Sequence, residues 1–341
     1  MNIALDATYS LGRHLTGVGV YSRQLLFGLA RAHPDTRFAF QYRPHRFLRS
    51  FQDTLPPNAH RGLLIASRVS SCDLFHGLNQ RVDSGRYRRT VCTFHDLFVL
   101  TGDYSTPEFR EKFAEQARVA AQRSDLIITV SAFTADQVHS LLGVERERIR
   151  VVHHGVRPPL ALAPVEREKM ILFTGAIQRR KNVLRLIEAF ERVAPPDWSL
   201  VLAGSAGFGA EEIAQRAQGQ HRITSTGYVS DVELESLYCR ATAFAFPSLD
   251  EGFGMPVLDA MARGLPVLTS NRSALPEVAG DAALLVDPLE VESIAAGLRK
   301  LIEEPALRTE LSRQGMERAK QFSWEKAVQE TWQVYCELLN G

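Results

Sequence analysis

The chain has 341 residues, 45% hydrophobic and 23% charged, an ordinary composition for a globular protein. A single hydrophobic core stops growing at roughly 250–300 residues, so two domains are expected. No apolar run reaches the ~18 residues of a bilayer span, and Met1-Asn2-Ile3-Ala4-Leu5-Asp6 has no basic residue ahead of it, which reads as a first strand and not a secretion signal.

Taken in chain order, the first half alternates strand-like apolar runs with amphipathic helical stretches. Strands are expected at 3–5, 38–42, 74–76, 90–94, 126–130 and 150–153, and helices at 20–32, 107–123 and 132–142. Two prolines, Pro158 and Pro159, and then Pro164 mark residues 157–164 as a linker. In the second half, strands are expected at 170–174, 200–203, 223–226, 243–246, 266–269 and 283–286. Helices are expected at 183–193, 231–240, 256–263, 291–303 and 305–320, and an amphipathic helix at 324–339 closes the chain. The alternation predicts an α/β fold of two Rossmann-like domains, 1–160 and 161–341, whose final helix can pack back on the first domain. Parallel sheets facing an interdomain cleft would bring their strand ends to it, and ligands of open α/β sheets bind at such ends.

The most informative segment runs from Phe246 to Gly264, with Glu251-Gly252-Phe253-Gly254-Met255-Pro256-Val257 at its centre and Asp259 beyond. Pro256 is placed as the first helical residue and Gly264 as the stop. The glycines let backbone amides approach a ligand, and the helix N-terminus favours an anion such as a diphosphate. The pattern Pro-Ser-x-x-Glu-Gly-Phe-Gly-x-Pro, with an acid eight positions after the glutamate, resembles the donor-site motif of retaining glycosyltransferase family 4, with the GT-B fold and mannosyltransferase-like members. The resemblance implies that Glu251 contacts the transferred sugar and Asp259, in place of the usual Glu, the nucleotide ribose.

Further residues extend the likeness. Arg180 and Lys181 stand just before a helix that Asn182 would cap; cations there oppose the helix dipole unless an anion lies between them. The resemblance makes them the pair that binds the donor diphosphate and stabilises it as it leaves. Thr16-Gly17-Val18-Gly19 resembles the Gly-rich first loop, Tyr228-Val229 the loop at the nucleobase, and His95 the histidine near the reacting sugar carbon. Ser131 and His154 follow strands and are expected at the cleft as secondary candidates. Ser273, Leu275, Pro276 and Glu277 complete the likeness.

The family implies hexose transfer from a nucleotide sugar, GDP-mannose first and UDP-sugars next, to a saccharide or lipid-linked acceptor. The nucleotide sugar is a co-substrate, so no cofactor is expected, and no Asp-x-Asp cluster suggests a metal. Charge divides unevenly: residues 1–160 carry 21 Lys/Arg and 14 Asp/Glu, residues 161–341 carry 19 and 25. Between Arg37 and Arg89 there are ten Arg and three acids. That region suits an anionic membrane surface or a lipid phosphate, and equally a plain solvated face; nucleic acid is not among the expected partners. The four scattered cysteines and the lack of a signal point to a cytoplasmic protein, peripheral to the membrane if the basic region docks there. Three rivals stay open: another GT-B enzyme (an epimerase or phosphorylase), an NAD-dependent oxidoreductase, and a catalytically silent nucleotide- or lipid-binding module. The first turn lacks the Gly-x-Gly-x-x-Gly of a dinucleotide site.

Overall fold

A computed structural model gives the architecture and describes residues 1–12, 15–65, 72–83, 85–163 and 165–340. Pro164 of the expected linker and Arg68 of the basic region lie outside these residues. Two compact units result: Met1–Gly155 with the chain from Phe322 onward, and Val156–Gln321.

The first unit holds a seven-stranded parallel sheet: β1 (Asn2–Asp6), β2 (Arg37–Tyr42), β3 (Ala59–Leu63), β4 (Leu74–Gly77), β5 (Thr90–Phe94), β6 (Leu126–Thr129) and β7 (Ile149–Val151), in the order β3-β2-β1-β4-β5-β6-β7. β4, β5 and β6 are buried throughout, which is why their sequences are near-continuous apolar runs. β3 was not expected. Its Ala-His-Arg-Gly-Leu has no apolar alternation, and this edge strand is held by its register with β2, Phe38 opposite Ala59 through Tyr42 opposite Leu63. Helix α1 (Gly17–Ala32) starts earlier than predicted, so the Gly-rich segment is its first turn and not a loop. Gly19 suits a close approach there, since a Cβ would lie 3.0 Å from the Tyr9 carbonyl. α2 (Pro107–Arg123) and α3 (Ala132–Leu142) are capped by the hydroxyls of Thr106 and Ser131, which accept from the amides of Phe109 and Thr134.

The second unit holds β8 (Met170–Thr174), β9 (Ser199–Ala203), β10 (Ile223–Gly227), β11 (Ala243–Phe246), β12 (Val267–Ser270) and β13 (Leu284–Val286), all parallel, in the order β10-β9-β8-β11-β12-β13. Its longer helices are α4 (Val183–Val193), α5 (Ala210–Ala217), α6 (Asp231–Arg240), α7 (Met255–Ala262), α8 (Val291–Glu303) and α9 (Pro305–Ala319), and a short one spans Leu275–Ala279. α4 buries Val183, Leu186, Ile187 and Phe190 on one face, as its apolar spacing predicts. In both sheets the winding direction reverses beside the first strand of the unit, between β1 and β4 and between β8 and β11. Such switch points open crevices at the carboxyl ends of the strands.

The last helix, α10 (Trp324–Asn340), belongs to the first unit, where it packs on α1. Gly28 of α1 admits it, since a Cβ there would meet Val328 Cγ2 at 2.5 Å. A buried polar chain fastens it to the sheet: the Tyr335 hydroxyl lies 2.5 Å from His76 Nδ1, His76 Nε2 lies 2.8 Å from Thr93 Oγ1, and Thr93 Oγ1 lies 2.8 Å from the Tyr21 hydroxyl. Among the described residues no helix is long and apolar enough to cross a membrane.

Candidate active site

The switch point of the second sheet is where the predicted residues converge. Two turns meet there, the Arg179–Lys181 3₁₀ turn after β8 and the 247–254 turn after β11. Asn182 joins them by a route the sequence did not suggest. It sits at the cap position with φ 60°, yet its side chain makes no cap bond. Instead Nδ2 donates to the carbonyls of Pro247 (3.0 Å) and Pro288 (2.7 Å), tying three strand ends together. The expected capping role is therefore corrected to a brace.

Glu251 is the centre of the cluster. Its Oε1 accepts from Lys181 Nζ at 2.6 Å and from the Ser248 hydroxyl at 2.6 Å, and lies 2.9 Å from Arg180 Nη1. Arg180 also donates to the Asp250 carbonyl. Lys181 Nζ stands 4.7 Å from the Phe246 ring centroid, a cation–π contact. The three charged residues are at most 8% exposed. Burial raises the Glu251 carboxyl, but the charges of Arg180 and Lys181 win and hold it at about 2, so it is ionised at neutral pH. The anion that the cation pair demanded is thus the protein's own carboxylate. The triad keeps one net positive charge, and all three contacts fall on Oε1, so Oε2 carries none of them. Ser248 was missed as a functional residue, although it is the serine of the Pro-Ser-x-x-Glu pattern itself.

The turn into α7 differs in detail from expectation. Gly254 is the N-cap, and its φ of 113° demands glycine; a Cβ there would also press on the end of the Leu275 side chain, 2.6 Å from Cδ2. Met255 is the first helical residue, which moves Pro256 to the second. Pro256 has no N–H and the Val257 N–H donates to the Gly254 carbonyl at 2.9 Å. Any amide donors at this end therefore come from the turn ahead of Pro256, which corrects the inclusion of Pro256 and Val257 among them. Gly252 and Phe253 are buried in that turn.

Asp259, one turn along α7, is 3% exposed and fully engaged. Its Oδ2 accepts from Arg157 Nε (3.0 Å) and Nη2 (2.6 Å), and its Oδ1 accepts from the Arg157 amide (3.3 Å). Arg263, which packs its guanidinium 4.9 Å from the Tyr238 ring, is itself bonded to Glu235 at 2.7 Å. Nothing in the sequence pointed to Arg157, which lies far from Asp259 along the chain. Tyr228 and Val229 follow β10, with Tyr228 half exposed.

The remaining candidates lie in the first unit. His95 is buried at the end of β5, edge-on to Tyr21 at 4.6 Å and stacked on His154 at 5.4 Å. Its Nε2 lies 2.9 Å from the Leu78 carbonyl, which can only accept, so the proton is on Nε2 and Nδ1 presents a lone pair. Burial pushes its pKa down to about 4, against the lift from that carbonyl, and His95 is neutral at pH 7. Gly17 and Gly19 form the first turn of α1, and Ser131 is occupied as the cap of α3.

Two doubly wound α/β units, one with a buried cation–carboxylate cluster at its switch point, define a glycosyltransferase of the GT-B class. Residues 161–318 match the family model "Glycosyl transferases group 1", and residues 8–158 match "Glycosyltransferase Family 4". The chain is 31% identical over 281 residues to the O-antigen chain mannosyltransferase B of Escherichia coli, covering 77% of this chain and 74% of that one. The chain belongs to this glycosyltransferase family and is a hexosyltransferase. Among solved structures, sucrose-phosphate synthase from Thermosynechococcus elongatus superposes with a TM-score of 0.78 at 20% identity, covering 100% of this chain and 99% of that one. Anabaena HepE in complex with UDP-glucose superposes with a TM-score of 0.70 at 17% identity, covering 100% and 99%. Both share the fold.

Proposed function

We propose that the enzyme transfers mannose from GDP-mannose, with retention and without a metal or other cofactor, to a saccharide carried on a lipid diphosphate, working as a peripheral protein at the cytoplasmic face of the membrane. One observation carries the reading: a buried, ionised Glu251 shares a single oxygen between Arg180 and Lys181. A donor diphosphate engages these cations by partner exchange, Glu251 turns its second oxygen to the sugar hydroxyls, and Asp259, still held by Arg157, takes the ribose. Tyr228 and Val229 are assigned to the base, and Gly17 and Gly19 to the phosphates, from the likeness of their segments to the family's motifs.

As the bond from the anomeric carbon to the phosphate oxygen breaks, negative charge grows on the diphosphate. Arg180, Lys181 and the amides ahead of Pro256 stabilise it, work done elsewhere by a metal. The acceptor hydroxyl attacks from the same face, forms the new glycosidic bond and gives its proton to the departing phosphate. His95, neutral and with Nδ1 as acceptor, takes a hydrogen bond from a sugar hydroxyl. Mannose as the sugar is supported by the Escherichia coli relative. A UDP-hexose is the second reading, favoured by the UDP-glucose in the Anabaena structure.

Thermal shift across GDP-, UDP- and ADP-sugars decides the donor, since a ligand at about 100 times its Kd stabilises by about 2.7 kcal/mol. GDP-mannose should give the largest shift; a larger one with UDP-glucose replaces it. Glu251→Ala should lower kcat by roughly 10²-fold or more with nucleotide binding retained or strengthened, since Arg180 and Lys181 lose their competing carboxylate, and comparable activity would reject the assigned role. Transfer should survive EDTA. Activity lost to the chelator and restored by Mg²⁺ would contradict metal independence.

A further inference from the structure

The first unit contains a cavity of about 260 Å³ whose cationic lining has no part in the donor cluster. It opens at the carboxyl ends of β1 and β2, and Tyr9, Thr16, Arg43, His45, Arg46 and Arg81 line it. Three features make it an anion site. Three guanidinium groups and an imidazole converge on one concavity. The lining residue Thr16 is the N-cap of α1, a helix of 16 residues with no acid in its first turn, so the positive end of that dipole adds to the field. No acid is among the residues lining the cavity, and two acids of the same unit are engaged elsewhere, Asp53 with Arg23 at 2.9 Å and Asp83, through Oδ1, with the Gly85 amide and the Tyr87 hydroxyl at 2.9 Å each.

Arg43 is the one lining cation with a carboxylate, Asp6 Oδ2 at 3.4 Å, and its buried Nε has no hydrogen-bond partner. Among the described residues no carboxylate pairs with Arg46 or Arg81. Cations crowded in a concave, partly desolvated space repel one another unless an anion joins them. Guanidinium forks match the oxygens of a phosphoryl group in geometry as well as charge.

We propose that this cavity is a phosphoryl-binding subsite for the acceptor, separate from the donor cluster at Glu251. The identity of the ligand as acceptor rests on the function proposed above; the anion chemistry does not. The segment that supplies His45 and Arg46 continues directly into Leu48 and Phe51, which are 82% and 62% exposed. A phosphate in the cavity can therefore carry a hydrocarbon chain along an apolar surface. The shared chemistry is the phosphoryl group, borne either by a lipid or by a soluble phosphorylated saccharide.

Inorganic pyrophosphate, titrated calorimetrically into the full chain, tests the cavity directly. Two classes of site are expected, one weakened by Lys181→Ala and the other by the double variant Arg46→Ala/Arg81→Ala. These two positions are chosen because Arg43→Ala would strand the buried Asp6. The double variant should weaken its class by about 10²- to 10⁴-fold, the loss of two charge-assisted hydrogen bonds, and should raise KM for a phosphorylated acceptor without changing KM for the donor. Wild-type stoichiometry and affinity in the double variant overturn the proposal. If that variant does not fold, Arg46→Gln alone gives the same readout with a smaller change. Leu48→Ser/Phe51→Ser separates the sources: lost binding to phosphatidylglycerol vesicles with pyrophosphate binding intact marks a lipid-borne phosphate, and unchanged vesicle binding marks a soluble one. A chain that binds pyrophosphate in the cavity yet turns over no nucleotide sugar overturns the function proposed above and leaves the subsite standing.

Discussion

In the first unit, His76, His95 and His154 lie buried as neutral imidazoles, and desolvation pushes their pKa values down, His76 to about 3 and His95 to about 4. In the second unit, Glu251, Arg180, Lys181, Asp259 and Glu235 are also buried, and each faces an opposite charge, Glu235 that of Arg263. The same cost, taking a charge out of water, is met by giving up the proton at these histidines and by pairing at these ions. A neutral imidazole suits an uncharged hydroxyl. A paired cation suits an anionic group that enters by exchanging partners, with no proton moved.

Removing one ion from the paired unit should give the largest effect. Arg263→Ala leaves Glu235 buried and unpartnered, and should cost about 3–5 kcal/mol in urea unfolding; a loss below 1 kcal/mol would show that the pairing is not what keeps these groups charged. Acid sharpens the contrast. A histidine whose folded pKa lies below 6.5 contributes stability that is complete above pH 6.5 and is lost as pH falls towards 4. For His95 the drop to about 4 amounts to roughly 3 kcal/mol. Glu251, depressed from 4.5 to about 2, contributes stability that is complete above pH 4.5 and fades only towards pH 2. Hydrogen exchange between pH 7 and 4.5 should therefore loosen the first unit before the second, and the reverse order would break the comparison. Gly254→Ala should have the smallest effect, about 1–3 kcal/mol from a strained backbone, with weaker nucleotide binding seen by calorimetry. Unchanged stability would mean that the turn into α7 can be rebuilt without φ 113°.

The two units also differed in how far their sequences could be read. Every strand with a buried apolar run, from Thr90–Phe94 to Ala243–Phe246, was visible because burial on both faces leaves little room for polar residues. β3 was invisible for the opposite reason: an edge strand of His, Arg and Gly is defined by its neighbour. α5 is only eight residues long and follows a turn with Gly204, Gly207 and Gly209, and it was also missed. At the site, Arg180, Lys181 and Glu251 could be named because they fall in contiguous motifs, yet their mutual contact spans two strand ends and no spacing rule predicts it. The grip of Arg157 on Asp259 is purely tertiary. Asn182 shows the limit most plainly, since its position was right and its job was different.

The place of α10 in the first unit has a consequence for the newborn chain. Residues 156–321 leave the ribosome as an uninterrupted stretch, with everything their sheet requires. The first unit, begun earlier, still lacks the helix that covers α1 and the tyrosine that bonds His76 until residues 324–340 have followed the whole of the second. The unit begun first is therefore completed after the one begun second. A nick between the second unit and α10 is felt some three hundred residues earlier in the chain, in the packing around Gly28.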